Sequence, residues 1–183
     1  MKLERTGIEG VWVAESIANQ DQRGRFSRLF CSREQQDIIG SRLIVQINHS
    51  ITRSVGALRG LHYQVPPHAE MKIVRCLRGR VFDVAVDLRK GSATFRKWMS
   101  LELTPENSRA LVIPEGCAHG FQVLEPDSEL LYLHTAFYAP KAEGGVRFDD
   151  PLIGVDWPLT PTDLSERDLH HPLLDNNFEG IAV

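Results

Sequence analysis

An all-β sandwich or barrel is the fold class this sequence predicts, on three observations. Short apolar segments recur along the whole chain, turn signals separate them, and helix-starting patterns are scarce. The segments fall at residues 11–16, 42–48, 72–77, 80–88, 98–103, 110–113, 121–124 and 130–138, each rich in Val, Ile, Leu or aromatic residues, which suit a pleated, half-buried surface. Between them, Arg78-Gly79 predicts a tight hairpin, Lys90-Gly91-Ser92 ends a strand, and Glu125-Pro126-Asp127 forms a turn in which proline supplies its preset φ. Two capping-box patterns predict short helices, one opening at Ser32 (Ser-Arg-Glu-Gln) and one at Ser165 (Ser-Glu-Arg-Asp).

With 183 residues, 42% hydrophobic and 25% charged, the chain reads as one compact domain over residues 1–183, without a linker-like tract or an internal repeat. Its 21 Lys and Arg against 24 Asp and Glu leave a net charge of −3, which argues against a nucleic-acid binder working by phosphate neutralisation. An anionic ligand would have to be held by locally placed cations. The three cysteines, Cys31, Cys76 and Cys117, are widely spaced and form no CxxC pair, so they are expected to be reduced, buried and cytoplasmic. The start, MKLERTGIEG, lacks an apolar signal region, and no run approaches the roughly 18 apolar residues of a membrane span. The expectation is a protein neither exported nor inserted in a membrane.

Side chains alternate along a strand. In residues 80–88, Phe82, Val84, Val86 and Leu88 therefore share an apolar face, while Val81, Asp83, Ala85 and Asp87 share one that carries carboxylates. In a small barrel that second face can line a wet cavity.

Two clusters carry chemistry. In Arg59-Gly-Leu-His62-Tyr-Gln64, His62 and Gln64 share a strand face with cations nearby at Arg59 and Lys72, as proton transfer on an anionic substrate would require. In Ile113-Pro-Glu-Gly116-Cys-Ala-His119-Gly-Phe121, the PxGxxH pattern delivers one histidine to a strand start and resembles the second motif of cupin barrels. A metal-binding cupin wants a pair of histidines in its first motif. Here that motif is His62-Tyr-Gln64, so no metal is expected.

The order and spacing of these motifs resemble the dTDP-4-dehydrorhamnose 3,5-epimerase family, metal-free cupins of nucleotide-sugar metabolism. Matching stretches run from Asp21-Gln-Arg-Gly24-Arg-Phe26 through Gln46-Ile-Asn48, Leu58-Arg-Gly-Leu-His-Tyr-Gln64, Lys72-Ile-Val-Arg75, Gly79 to Arg89 and Ala118-His-Gly-Phe121, to Asp150-Pro151 and Trp157-Pro158. The resemblance implies a cupin-type jelly roll with a few short helices, no cofactor, a homodimer and a nucleotide-sugar substrate, most naturally a dTDP-4-keto-6-deoxyhexose. It implies His62 as general base, Asp168 as the carboxylate that orients it, Tyr132 as the opposing acid and Lys72 beside the developing oxyanion. It assigns nucleotide diphosphate contacts to Arg23, Phe26, Gln46, Asn48, Arg59, His119, Glu143 and Arg167, with Tyr138 stacked on the base. Read without it, Tyr132 is equally a core aromatic, Asp168 a cap in its helix turn and each arginine a surface ion pair. Lys72 shares parity with Val74 and Cys76, which belong inside, and a buried lysine needs an anionic partner.

Three stretches depart from the family pattern. Arg28 replaces a usual Glu near the nucleotide, Ala136-Phe137 a usual Asn-Tyr, and Val146-Arg-Phe-Asp149 a Trp-Asn type of segment. They leave open which nucleotide and sugar are used and whether C3 and C5, or only one of them, is inverted. A metal-dependent cupin oxygenase or isomerase and a catalytically silent sugar-binding cupin are the readings from other classes. Ligands added around His62 and His119 would mark the first, and loss of the proton-transfer residues the second.

Overall fold

The computed structural model describes residues 1–183. Two antiparallel sheets face each other. One has six strands in the order β1 (Lys2–Arg5), β2 (Trp12–Glu15), β10 (Arg109–Ile113), β7 (Lys72–Arg78), β12 (Ser128–His134) and β5 (Gln46–Thr52). The other has five, in the order β13 (Glu143–Gly145), β6 (Leu58–Gln64), β11 (Cys117–Val123), β8 (Val81–Asp87) and β9 (Trp98–Leu103). A separate two-stranded ribbon is formed by β3 (Ala18–Asp21) and β4 (Gly24–Ser27). Two short helices, α1 (Gln36–Ile39) and α2 (Glu166–His170), complete the elements, and no helix is long and apolar enough to cross a membrane.

The predicted alternation in β8 is what builds the interior. Val81 and Ala85 point between the sheets into a core shared with Val74, Cys76, Leu111, Leu130 and Phe121. Val84, Val86 and Leu88 point the other way and are covered by Ile153, Ile181, Trp157 and Phe178 of the C-terminal segment. Each such buried aliphatic side chain contributes roughly 1.5–3 kcal/mol. These residues of the C-terminal segment seal the outer face of one sheet, and its inner face is left to close around a cavity.

Several boundaries differ from expectation. The Arg78-Gly79 turn is tight, with Gly79 at φ +75°, but it is not a hairpin: β7 pairs with β10 and β12, whereas β8 pairs with β11 and β9. The chain crosses there from one sheet to the other, and a side chain at Gly79 would meet Ser128 at 2.4 Å. The segment expected at residues 42–48 is displaced to β5, because the backbone joins the sheet only where β12 pairs with it, from Gln46↔His134 to Thr52↔Ser128. The segment at residues 130–138 leaves the sheet after His134. The first helix begins at Gln36 rather than after Ser32, and its N-cap, Gln35, makes no side-chain cap bond. At the second, Ser165 caps as expected by accepting the Asp168 amide.

Candidate active site

Strands β6 and β11 carry the two histidine motifs side by side, with His62 opposite His119. Glycines make this possible. A Cβ on Gly60, whose φ is +134°, would lie 2.5 Å from the Gly120 Cα, so two glycines facing each other let the strands approach at the bulge between His119 and Phe121. From the opposite sheet, β7, β12 and β5 present Lys72, Tyr132, His134, Asn48 and Ser50. A cavity of about 300 Å³ lies between the sheets, lined by these residues together with Arg59, His62, Glu70, His119, Tyr138, Glu143 and Arg167. It continues past Arg59, His62 and Arg167 into a wider groove of about 780 Å³ bounded by Ile51 to Ser54 and by α2.

Several of the polar groups in and around the cavity are paired. His62 Nε2 lies 2.5 Å from Asp168 Oδ1, with Asp168 buried at the start of α2. His119 Nε2 lies 2.7 Å from Asp83 Oδ1, the carboxylate that alternation places on the inner face. Tyr132 Oη is 3.2 Å from Ser50 Oγ, and burial pushes the phenol well above its ordinary range, so it is a proton carrier at neutral pH. Lys72 is buried and has the anionic partner that its parity required: Glu70 Oε1 lies 3.0 Å from Nζ. At the mouth, Arg167 donates to Glu143 at 2.6 Å, and the Tyr138 hydroxyl donates to the same carboxylate oxygen at 2.9 Å.

Of the residues singled out in the sequence, Arg23 and Phe26 are not brought to this cavity. Both lie on the β3–β4 ribbon, away from His62, and Phe26 is 74% exposed. Gln46 stands at the edge beside Asn48 and accepts the Tyr138 amide at 3.0 Å. Sequence reasoning missed Glu70, Asp83's bond to His119, His134 and His171. Glu70 precedes its strand and pairs across 64 residues with His134, a separation that no local pattern reveals. The His171 ring stands edge-on to His62 with centroids 5.5 Å apart, and burial together with the nearby His62 holds its pKa down, so it stays neutral.

His62, Asp168 and His171 hold ligand atoms within 4.8 Å of one another, but the 2.5 Å His62–Asp168 bond would have to part to admit an ion that needs about 2.0–2.2 Å to each ligand. The ligand atoms close enough to share an ion belong to His62, Asp168 and His171 alone, so His62 and His119 of the two motifs are not assembled into the joint ligand set of a metal cupin.

A family model described as dTDP-4-dehydrorhamnose 3,5-epimerase matches residues 5–176. The chain belongs to that family. The dTDP-4-dehydrorhamnose 3,5-epimerase of Shigella flexneri is 43% identical over 171 residues, which span 93% of this chain and 94% of the relative. Among solved structures, the dTDP-6-deoxy-D-glucose-3,5-epimerase of Legionella pneumophila Philadelphia 1, in complex with dTDP-4-keto-L-rhamnose, superposes with a TM-score of 0.89 at 38% identity, covering 94% of this chain and 92% of its own. The 3′-monoepimerase of Streptomyces bikiniensis, in complex with dTDP-quinovose, superposes with a TM-score of 0.86 at 34% identity, covering 93% and 86%. The two-sheet architecture of this epimerase is accordingly the cupin-type jelly roll expected from its motifs.

Proposed function

We propose that the chain epimerises a dTDP-linked 6-deoxy-4-ketohexose at C3, at C5 or at both, by proton removal and return through an enolate. The observation that carries this reading is that the His62–Asp168 pair, the Tyr132 hydroxyl and the Lys72 ammonium converge on one cavity. Protons at C3 and C5 are acidified by the C4 carbonyl. His62, with Nε2 turned to Asp168, has Nδ1 left to take such a proton, and Asp168 stabilises the imidazolium that results. Charge then builds on the C4 oxygen, where Lys72 offers a fixed cation. Tyr132, held protonated by burial, returns a proton to the opposite face and inverts the centre.

Arg59, Arg167, His119, Gln46, Asn48 and Glu143, with Tyr138 at the mouth, are the candidates for the nucleotide diphosphate, since forked guanidinium groups suit phosphate oxygens. Arg23 and Phe26 join this set in a homodimer, the partner's ribbon supplying them to the cavity; the exposed Phe26 and the exposed Ile47 and Ile51 on the edge strand support that reading. All three cysteines are free thiols; Cys76 and Cys117 are buried, which pushes their pKa up to about 12, whereas Cys31, expected to be buried with them, is only partly so, and the free thiols support a reducing, cytoplasmic setting.

Proton NMR of a dTDP-4-keto-6-deoxyhexose in deuterium oxide tests the reaction. Enzyme-dependent loss of the C3 and C5 signals is the expected result, loss at one carbon alone identifies a mono-epimerase like the Streptomyces relative, and retention of both signals overturns the reading.

A further inference from the structure

A single line of hydrogen bonds runs along the cavity wall, and both of its ends are fixed in direction. At the inner end, Glu70 forms an ion pair with Lys72, Nζ to Oε1 at 3.0 Å, and accepts from His134 Nδ1 at 2.7 Å on its other oxygen. Burial would raise the Glu70 pKa, but the His134 bond and the Lys72 charge outweigh it and keep the carboxylate ionised. His134 lies directly opposite Lys72 across β7 and β12, and its Nε2 lies 3.3 Å from Asn48 Nδ2. Asn48 Oδ1 in turn accepts from Gln46 Nε2 at 3.3 Å, and Gln46 Oε1 accepts the backbone amide of Tyr138 at 3.0 Å. A backbone amide can only donate and a carboxylate can only accept. Turning either side-chain amide, or moving the His134 proton to Nε2, sets two donors face to face somewhere along the line. The direction of every bond between Glu70 and Tyr138 is therefore determined.

We propose that His134 is a positioning residue for the epimerisation: held by Glu70 as the neutral Nδ1–H tautomer, it orients Asn48 and Gln46 and through them pins the Tyr138 segment at the cavity mouth. This inference rests on the proposed nucleotide-sugar substrate for its effect on binding, and on the geometry alone for the tautomer. Its consequence is specific. His134 stacks on Tyr132, with ring centroids 6.1 Å apart and planes 17° from parallel, yet it bonds to none of the four proton-transfer groups except through Glu70. Losing it frees the amides and the loop that would hold the nucleotide, while the base and the acid stay where they are. The loop is clamped from its other side by Gln64, which donates to the Phe137 carbonyl at 3.3 Å and accepts the Ala139 amide at 2.7 Å, so the segment loosens without detaching.

Two variants separate positioning from packing. His134→Leu fills the space and severs the line; His134→Gln retains one donor for Glu70 and one acceptor for Asn48. With dTDP as the probe in titration calorimetry, His134→Leu is expected to raise Kd about tenfold, the effect of one lost, desolvated hydrogen bond, and to raise KM in step. Its kcat at saturation should stay within about threefold of the unaltered enzyme, and His134→Gln should recover most of the affinity. Unchanged dTDP affinity in His134→Leu, a fall confined to kcat, or equal impairment of the Leu and Gln variants would overturn the proposal. Long-range ¹⁵N correlation spectra of the ligand-free protein supply an arm independent of substrate: an Nδ1–H signal for His134 supports the proposal and an Nε2–H signal overturns it. An unaltered enzyme that exchanges no substrate proton would count against the proposed function and leave this tautomer arm standing.

Discussion

His62 Nε2 stands 2.5 Å from Asp168 Oδ1, and the two residues are 106 positions apart in the chain, joined because Ser165 caps the helix turn that aims Asp168 at β6. Burial works to raise the Asp168 pKa, but the hydrogen bond from His62, with the Arg167 charge beside it, outweighs burial and holds the carboxyl below its ordinary range. The carboxylate therefore stays ionised wherever the enzyme is folded at neutral pH, and it fixes which nitrogen of His62 is available. His62→Asn is expected to abolish deuterium incorporation at both C3 and C5 while changing dTDP affinity less than about threefold. Asp168→Asn should lower kcat by about two to four orders of magnitude, the range of a general-base contribution, with KM little changed. Stopped-exchange NMR and calorimetry on the two variants check both statements.

Tyr132→Phe removes one oxygen and preserves packing, so the fold should survive with only the Ser50 bond lost. The base can still generate the enolate, but the opposite face has lost its donor. Wash-out of substrate protons should remain measurable while net epimerised product falls by about two orders of magnitude or more. If exchange disappeared as completely as in His62→Asn, Tyr132 would belong to binding or enolate stabilisation instead.

Much of this site was legible because strand chemistry is local. Alternation in residues 80–88 put Asp83 on the inner face, parity placed Lys72 with Val74 and Cys76, and the two histidine motifs marked the neighbouring strands. What escaped was set by pairing across the fold. A tight turn at Gly79 says nothing about which sheet each arm joins, so the crossover read as a hairpin. The β3–β4 ribbon, Ala-Asn-Gln-Asp against Gly-Arg-Phe-Ser, carries no apolar alternation to detect. In β11 every residue is buried and Ala118 and Gly120 are small, so neither period shows. Glu70 and His134 are unremarkable by themselves, and only the register Lys72↔His134 brings them together.

At the end of β8 Asp87 is fully buried and accepts from Arg89, Ser92 and Thr94 at 2.6–2.9 Å. Burial alone pushes its pKa up, but these donors carry it down to about 2 from a model-peptide value of 3.8. A depressed folded pKa stabilises the native state above the unfolded value and loses that contribution as pH falls through the folded one. Asp87→Ala should cost roughly 1–3 kcal/mol at pH 7, because the Arg89, Ser92 and Thr94 donors lose their buried acceptor. The difference in melting temperature between the two proteins should shrink as pH falls from about 4 towards 2. A difference that stays constant over that window would show that packing, not the carboxylate, sets the cost.

The last prediction follows from where Arg23 lies. Within one chain the β3–β4 ribbon does not reach the cavity that holds His62, so a role for Arg23 in substrate binding requires the ribbon of a second copy. Light scattering at micromolar concentration should accordingly give twice the chain mass. Shared sites also predict complementation. Homodimers of His62→Asn lack the base at both sites, and homodimers of Arg23→Ala lack a phosphate contact at both. In a mixed dimer, one site carries both changes and the other carries neither, since its His62 and its partner's Arg23 are unaltered. Unfolding the two variants together and refolding them should therefore restore activity, approaching a quarter of the unaltered enzyme per chain when mixing is random and Arg23→Ala is nearly silent. If Arg23 served the cavity of its own chain, every site in the mixture would carry one change or the other. No activity beyond the sum of the separate variants would then appear, and the shared-site arrangement would be excluded.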